Sequence, residues 1–95
     1  MVKNRLVYTK EAAKIIRKLP AKERGRLGEK LRSLGDDPGL GKKLTAPLTD
    51  FRSLRVGKYR VIYRHVPGER LVVILTLGHR KGIYKKARRR KKPKK

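Results

Sequence analysis

The dipeptide Gly57-Lys58 stands between two β-rich runs, residues 51–56 and 59–63. A two-residue loop with glycine first is the turn chemistry of a tight antiparallel hairpin, because glycine takes the positive φ that the turn requires. Such a loop fixes the register. Val56 opposes Tyr59, Arg55 opposes Arg60, Leu54 opposes Val61 and Ser53 opposes Ile62. Side chains alternate along a strand. Leu54, Val56, Tyr59, Val61 and Tyr63 therefore share one face, which reads as core, and Ser53, Arg55, Arg60, Ile62 and Arg64 share the other. Arg55 and Arg60 then lie directly across from each other, and like charges so placed repel. Water can bathe such a pair, or an anion can bridge it.

The rest of the chain supplies the layers around this hairpin. Residues 5–8 read as a short first strand, and Thr9 as the N-cap of a helix. Ala12, Ile15, Ile16 and Leu19 recur at helical spacing. Pro20 separates that helix from a second one over residues 21–34, with Leu27, Leu31 and Leu34 on one face. Gly25 and Gly28 weaken the second helix and would let it approach the first closely. The outer surface of the pair is basic, with Lys10, Lys14, Arg17, Lys18, Lys22, Arg24 and Arg26. A turn at residues 36–39 and a polar connector lead into the hairpin. Pro67-Gly68 turns the chain into residues 71–77, an apolar and β-branched run expected to be the buried central strand. The order is β-α-α-β-β-β. It predicts an α+β domain over residues 1–84, a helical hairpin packed on one face of a small antiparallel sheet. Residues 85–95 form a basic tail with almost no apolar content, expected to be disordered when alone.

Charge narrows the function. The formal net charge is +23 over 95 residues. Nine of those positive charges belong to the tail, and taking them away leaves +14 on the folded part. Self-repulsion of this size calls for an acidic partner. Nucleic acid is the first choice, an acidic protein the second and an anionic membrane surface the third. With no Cys and two His, neither thiol chemistry nor a zinc site is expected, and no cofactor is implied. No apolar run approaches the length of a membrane span and the first residues carry no signal-peptide pattern, so a cytoplasmic protein is expected.

With helices on one face, the other face holds Arg55, Arg60 and Arg64 beside Leu71, Val73 and Leu75. A groove that is cationic and apolar suits an acidic amphipathic peptide, or single-stranded RNA with its phosphates on arginine and its bases on flat surfaces. It is also compatible with simple solvation of the arginines. RNA cleavage without a metal needs deprotonation of the ribose 2′-OH, positive charge on the phosphate oxygens and a proton for the leaving 5′-oxygen. Arginine suits the middle task, because its fork matches phosphate. His79, Lys58 and the pair Lys42 and Lys43 are the candidates for proton transfer.

The run from Leu54 to Tyr63, the later Gly78-His79-Arg80 and the following Tyr84 make the chain similar to the RelE/ParE toxin superfamily over roughly residues 5–84. For the RelE branch the resemblance implies the toxin of a type II toxin–antitoxin pair. Such a toxin is a ribosome-dependent, metal-independent endoribonuclease (an mRNA interferase) that cleaves message in the A site by 2′-OH attack. Matching positions would make Arg55, Arg60, Arg80 and Tyr84 catalytic. Arg55 and Arg60 would neutralise the scissile phosphate, Arg80 would aid the phosphorane or the leaving group, and Tyr84 would stack on a nucleotide. Ser53, Lys58, Arg64 and His79 would contact RNA. Ser53 stands where the best-known pattern has a proton-transferring lysine, which leaves the general base unassigned. The implied partners are a RelB-like acidic antitoxin, message on the ribosome and ribosomal RNA. Two other readings stay open: a ParE-like inhibitor of DNA gyrase without nuclease activity, and a non-catalytic basic protein that binds RNA or the ribosome.

Overall fold

The computed structural model describes residues 3–79 and Ile83. Two helices and five strands are formed: β1 (Arg5–Tyr8), α1 (Lys10–Arg17), α2 (Ala21–Asp36), β2 (Lys42–Lys43), β3 (Arg52–Val56), β4 (Tyr59–Val66) and β5 (Leu71–His79). The strands make one sheet in the order β1-β5-β4-β3-β2. The expected α+β architecture is present, with two differences in the sheet. The connector before the hairpin contributes β2, which pairs antiparallel with β3 through Lys42 to Ser53 and Lys43 to Arg52. And β1 runs parallel to β5, Arg5 to Leu71 through Tyr8 to Ile74, so the sheet is mixed. Addition of β2 at the far edge makes β4, not β5, the middle strand.

The helices form where capping and periodicity place them. Thr9 Oγ1 accepts the Ala12 N–H at 3.1 Å, satisfying one free donor of the first turn of α1. The same hydroxyl donates to the Leu75 carbonyl at 2.7 Å, which ties the start of α1 to β5. Pro20 precedes the first residue of α2. Ala12, Leu27, Leu31 and Leu34 are buried against Leu54, Val56, Val61, Tyr63, Val72, Ile74 and Leu77 of the sheet. Ile15, Ile16 and Leu19 close the edges of this core. Each fully buried aliphatic side chain contributes about 1.5–3 kcal/mol. The two α2 glycines do not serve the close approach between helices that their spacing suggests. A Cβ at Gly25 or Gly28 would meet nothing within 4 Å.

The other face of the sheet is partly covered. Leu48, Phe51, Ile62 and Ile83 form a second buried cluster, edged by Leu44 and Leu75. The segment between β2 and β3 therefore acts as a strap over the β3–β4 half of that face, closed by the backbone bond from Leu44 N–H to the Phe51 carbonyl. The strap is anchored at Gly41. Tyr63, wholly buried, accepts the Gly41 N–H at 2.8 Å and donates its hydroxyl to the Pro38 carbonyl at 2.7 Å. Arg52 Nη1 donates to the Gly41 carbonyl at 2.8 Å. A Cβ at Gly41 would fall 2.6 Å from the Tyr63 hydroxyl oxygen, so only glycine fits. Burial pushes the Tyr63 phenol above the ordinary tyrosine value of 10.0.

Candidate nucleic-acid interface

The hairpin register is the one the turn chemistry dictates: Val56 to Tyr59, Arg55 to Arg60, Leu54 to Val61 and Ser53 to Ile62. Gly57 takes φ of 60°, while Lys58 keeps a negative φ, the pattern of a II′ hairpin turn. Arg55 is exposed and Arg60 half-buried, and their Cα atoms are direct partners. The opposed cations sit at the free end of the sheet.

A β-bulge decides what stands beside them. Between Ile62 and Tyr63 the β4–β5 register shifts: Tyr63 pairs with Ile74, but Ile62 pairs with Thr76, leaving Leu75 as the extra residue. An uninterrupted ladder would have put Leu77 opposite Arg60. The bulge returns Leu77 to the helix-covered core opposite Val61, brings Gly78 opposite Arg60 and sets His79 opposite Tyr59. The Thr76 hydroxyl donates to Glu11 Oε2 of α1 at 2.6 Å. The Tyr59 and His79 rings lie 5.2 Å apart, tilted by 51°. The Lys58 ammonium stands 5.9 Å from the Tyr59 ring centre.

Arg55, Gly57, Lys58, Tyr59, Arg60 and His79 together line an open concavity of about 240 Å³. A helix residue approaches its turn from behind: a Cβ at Gly57 would lie 3.3 Å from Arg26 Nη1. Among the described residues, no group of three or more His, Cys, Asp or Glu is placed to hold a metal ion. The lining offers fixed positive charge and two rings, the Tyr59 phenol and the His79 imidazole. This is equipment for an anion with a flat group attached.

The sequence-derived candidates divide accordingly. Arg55, Lys58, Arg60 and His79 come together in the concavity. Arg64 lies on the same face of β4 but four residues along, opposite Val73, roughly 13 Å away at strand rise. Ser53 is 3% exposed, in the Ile62 row beside the strap, so its side chain is not presented to a bound polymer. Arg80, Tyr84 and the tail 85–95 lie outside the described residues. Tyr59 was expected in the core. It stands instead at the core's rim, half-buried, with one side on the concavity. Its position opposite His79 follows from the bulge and has no sequence signal.

Comparison with known proteins fits this geometry. The family model described as the ParE toxin of the type II toxin–antitoxin system parDE matches residues 6–84. Among solved structures, the RelBE2 toxin–antitoxin complex of Mycobacterium tuberculosis is 33% identical at a TM-score of 0.76, covering 84% of this chain and 94% of that one. The archaeal RelE–RelB complex of Pyrococcus horikoshii is 26% identical at a TM-score of 0.68, covering 85% of this chain and 98% of that one. A free, doubly arginine-substituted RelE of E. coli shares the fold at a TM-score of 0.76 and 24% identity, with 97% and 100% covered. Comparison with curated proteins finds no match. With the family model spanning nearly the whole domain and RelE toxins sharing its fold, the chain belongs to the RelE/ParE superfamily and is a toxin of the type II toxin–antitoxin class.

Proposed function

We propose that this toxin is a ribosome-dependent endoribonuclease that cuts message in the A site. The observation that carries the reading is the direct opposition of Arg55 and Arg60 beside His79 and Lys58 in one concavity. A cross-strand cation pair is unfavourable when empty. A phosphate between the two guanidiniums converts repulsion into two charge-assisted contacts, and arginine keeps its charge at any working pH. In the reaction the ribose 2′-oxygen attacks phosphorus while the bond from phosphorus to the 5′-oxygen breaks. The 2′-OH proton goes to a base and the departing 5′-oxygen takes up a proton, giving a 2′,3′-cyclic phosphate and a 5′-hydroxyl. Arg55 and Arg60 hold the charge that builds on the equatorial oxygens. Arg80 aids the leaving group and Tyr84 orients a nucleotide. His79 is the best placed described residue for proton transfer, since its imidazole lines the concavity beside the opposed arginines, with Lys58 the second candidate. Ser53, buried, takes no part in proton transfer.

The cation-rich surface and the basic tail 85–95 would dock on ribosomal RNA through phosphates, with steep salt dependence. The action is cytoplasmic, where translating ribosomes are. An acidic, RelB-like antitoxin would hold the toxin in check by occupying the same cations. The Mycobacterium tuberculosis neighbour is a RelBE2 toxin–antitoxin complex and the Pyrococcus horikoshii neighbour a RelE–RelB complex, which supports a RelB-like partner. The family model favours one further reading, a ParE-like gyrase inhibitor. Translation in vitro with the purified chain, followed by primer extension on the message, separates the two. Discrete cuts that vanish in Arg60→Ala and Arg80→Ala are expected. Intact message together with blocked DNA supercoiling would replace the nuclease reading with the gyrase one.

A further inference from the structure

Tyr59 has two sides with different neighbours. On one it shares a small apolar crevice with Leu19, Leu27, Val56 and Leu77, closing the end of the helix-covered core. On the other it lines the basic concavity with Arg55, Arg60 and His79. The exposed imidazole 5.2 Å away continues the Tyr59 ring outward from the core. The same bulge that returns Leu77 to the core sets His79 on Tyr59.

We infer that Tyr59 and His79 form a stacking shelf for one nucleobase of the bound RNA, next to the phosphate held by Arg55 and Arg60. The outer face of His79 is open because the residue is exposed, and Tyr59 backs it. Lys58, exposed on the turn with its ammonium 5.9 Å from the Tyr59 ring centre, is placed to follow the strand's phosphate when a base enters. The concavity of about 240 Å³ is below the range of pockets that take a whole drug-sized ligand and suits a single ring system. Stacking is tolerant of base identity, because every base has a π face. The shelf therefore fixes where the strand sits rather than which sequence it carries. It rests on the nuclease reading only in taking RNA as the ligand, and makes Tyr59 a residue of the RNA site.

The test uses the full chain and a fluorescent 2′-O-methyl hexaribonucleotide, which cannot be cleaved. A single abasic position is moved along the probe, and the ratio of abasic to intact Kd is read by anisotropy. At one position the wild-type chain should bind the abasic probe roughly 5- to 100-fold more weakly, the range for loss of one stacked base. Tyr59→Leu and His79→Ala should weaken the intact probe and bring that ratio close to one. Tyr59→Phe should keep it. Arg55→Ala and Arg60→Ala should weaken both probes together and leave the ratio unchanged. Because the ratio is taken within each variant, a partial loss of folded protein lowers both affinities and does not imitate the result. A ratio of one at every position in the wild-type chain, or an unchanged ratio in Tyr59→Leu and His79→Ala, overturns the shelf. Message cleavage is scored separately. Its absence with the expected ratios would refute the nuclease and retain the shelf; cleavage with unchanged ratios would do the reverse.

Discussion

If Arg55 and Arg60 form an empty anion site, reversing either charge should stabilise the fold while abolishing what the fold is for. The pair sits in direct antiparallel register, with Cα atoms about 5 Å apart. Opposed like charges destabilise such a pair by some fraction of the roughly 0.2–1 kcal/mol range for cross-strand contacts. Arg55 is exposed and Arg60 half-buried, so screening keeps the figure in the lower half of that range. Arg55→Glu turns repulsion into attraction, a swing of roughly 0.5–1 kcal/mol, or roughly 2–8 °C in Tm for a domain of this size. Lowering a formal charge of +23 also relieves general self-repulsion, which would raise stability without any pair. A double-mutant cycle with Arg60→Glu removes that ambiguity. The double variant restores a like-charged pair, so it should fall short of the summed single effects by about 1–2 kcal/mol. Urea unfolding at low ionic strength measures all four corners. Sulfate should stabilise the wild-type chain more than chloride at equal ionic strength, and that excess should shrink in every variant, because the share due to an anion bound between the arginines is lost while sulfate's general exclusion effect stays. Additive single effects, with the same sulfate excess in the variants as in the wild-type chain, would refute the opposed arginines as an anion site.

Two further outcomes concern the scaffold. Tyr63→Phe removes the hydroxyl that joins Gly41 to Pro38 and leaves a buried N–H and a carbonyl without it. A loss of about 2–4 kcal/mol is expected in urea unfolding, with Gly41 the first amide to lose protection from hydrogen exchange. The same phenol makes stability pH-dependent on the alkaline side. Its folded pKa is raised, so the contribution is complete below the unfolded value of 10.0 and lost as pH rises through the folded one. Tyr63→Phe should flatten that alkaline fall. In α2, Gly25→Ala and Gly28→Ala add a methyl group into open space within a helix. Each should stabilise by roughly 0.5–1 kcal/mol in the same unfolding measurement. A loss of stability in either variant would mean that the position is not free.

What the sequence made legible follows from the range of the interactions. The hairpin pairing was readable to the residue, because a two-residue turn leaves the ladder no freedom. Thr9 was readable as a cap, because capping acts within one helical turn. The parallel pairing of β1 with β5 was not, since it joins residues more than sixty positions apart and no local signal distinguishes the two directions. The strap escaped notice for a related reason. Leu44, Leu48 and Phe51 stand at helical spacing although no helix forms there, with Pro47 inside the run, and their burial depends on Ile62, Leu75 and Ile83 across the sheet. Gly41 carried the only local hint, and the clash it avoids lies with Tyr63, twenty-two residues on.

The bulge is the least legible feature and the one that most shapes the site. Leu75, Thr76 and Leu77 read as a continuous apolar strand with no Gly or Pro to mark an irregularity. Regular alternation would put Leu75 and Leu77 on one face. The fold needs Leu77 in the main core and Leu75 in the second cluster. One extra residue in β5 reconciles the two leucines, and everything after it moves by one pairing step. His79 reaches Tyr59, and glycine, not a leucine side chain, faces Arg60. A Cβ at Gly78 would lie 3.3 Å from Ile83 Cδ1, so the second cluster closes tightly at this point. The strap and Ile83 thus take the apolar part of the open face out of contention, and what remains open at the hairpin end is mainly charge and rings. The two cores settle the composition of the site between them: packing of apolar residues on both faces is what leaves arginine, lysine, tyrosine and histidine to meet the ligand.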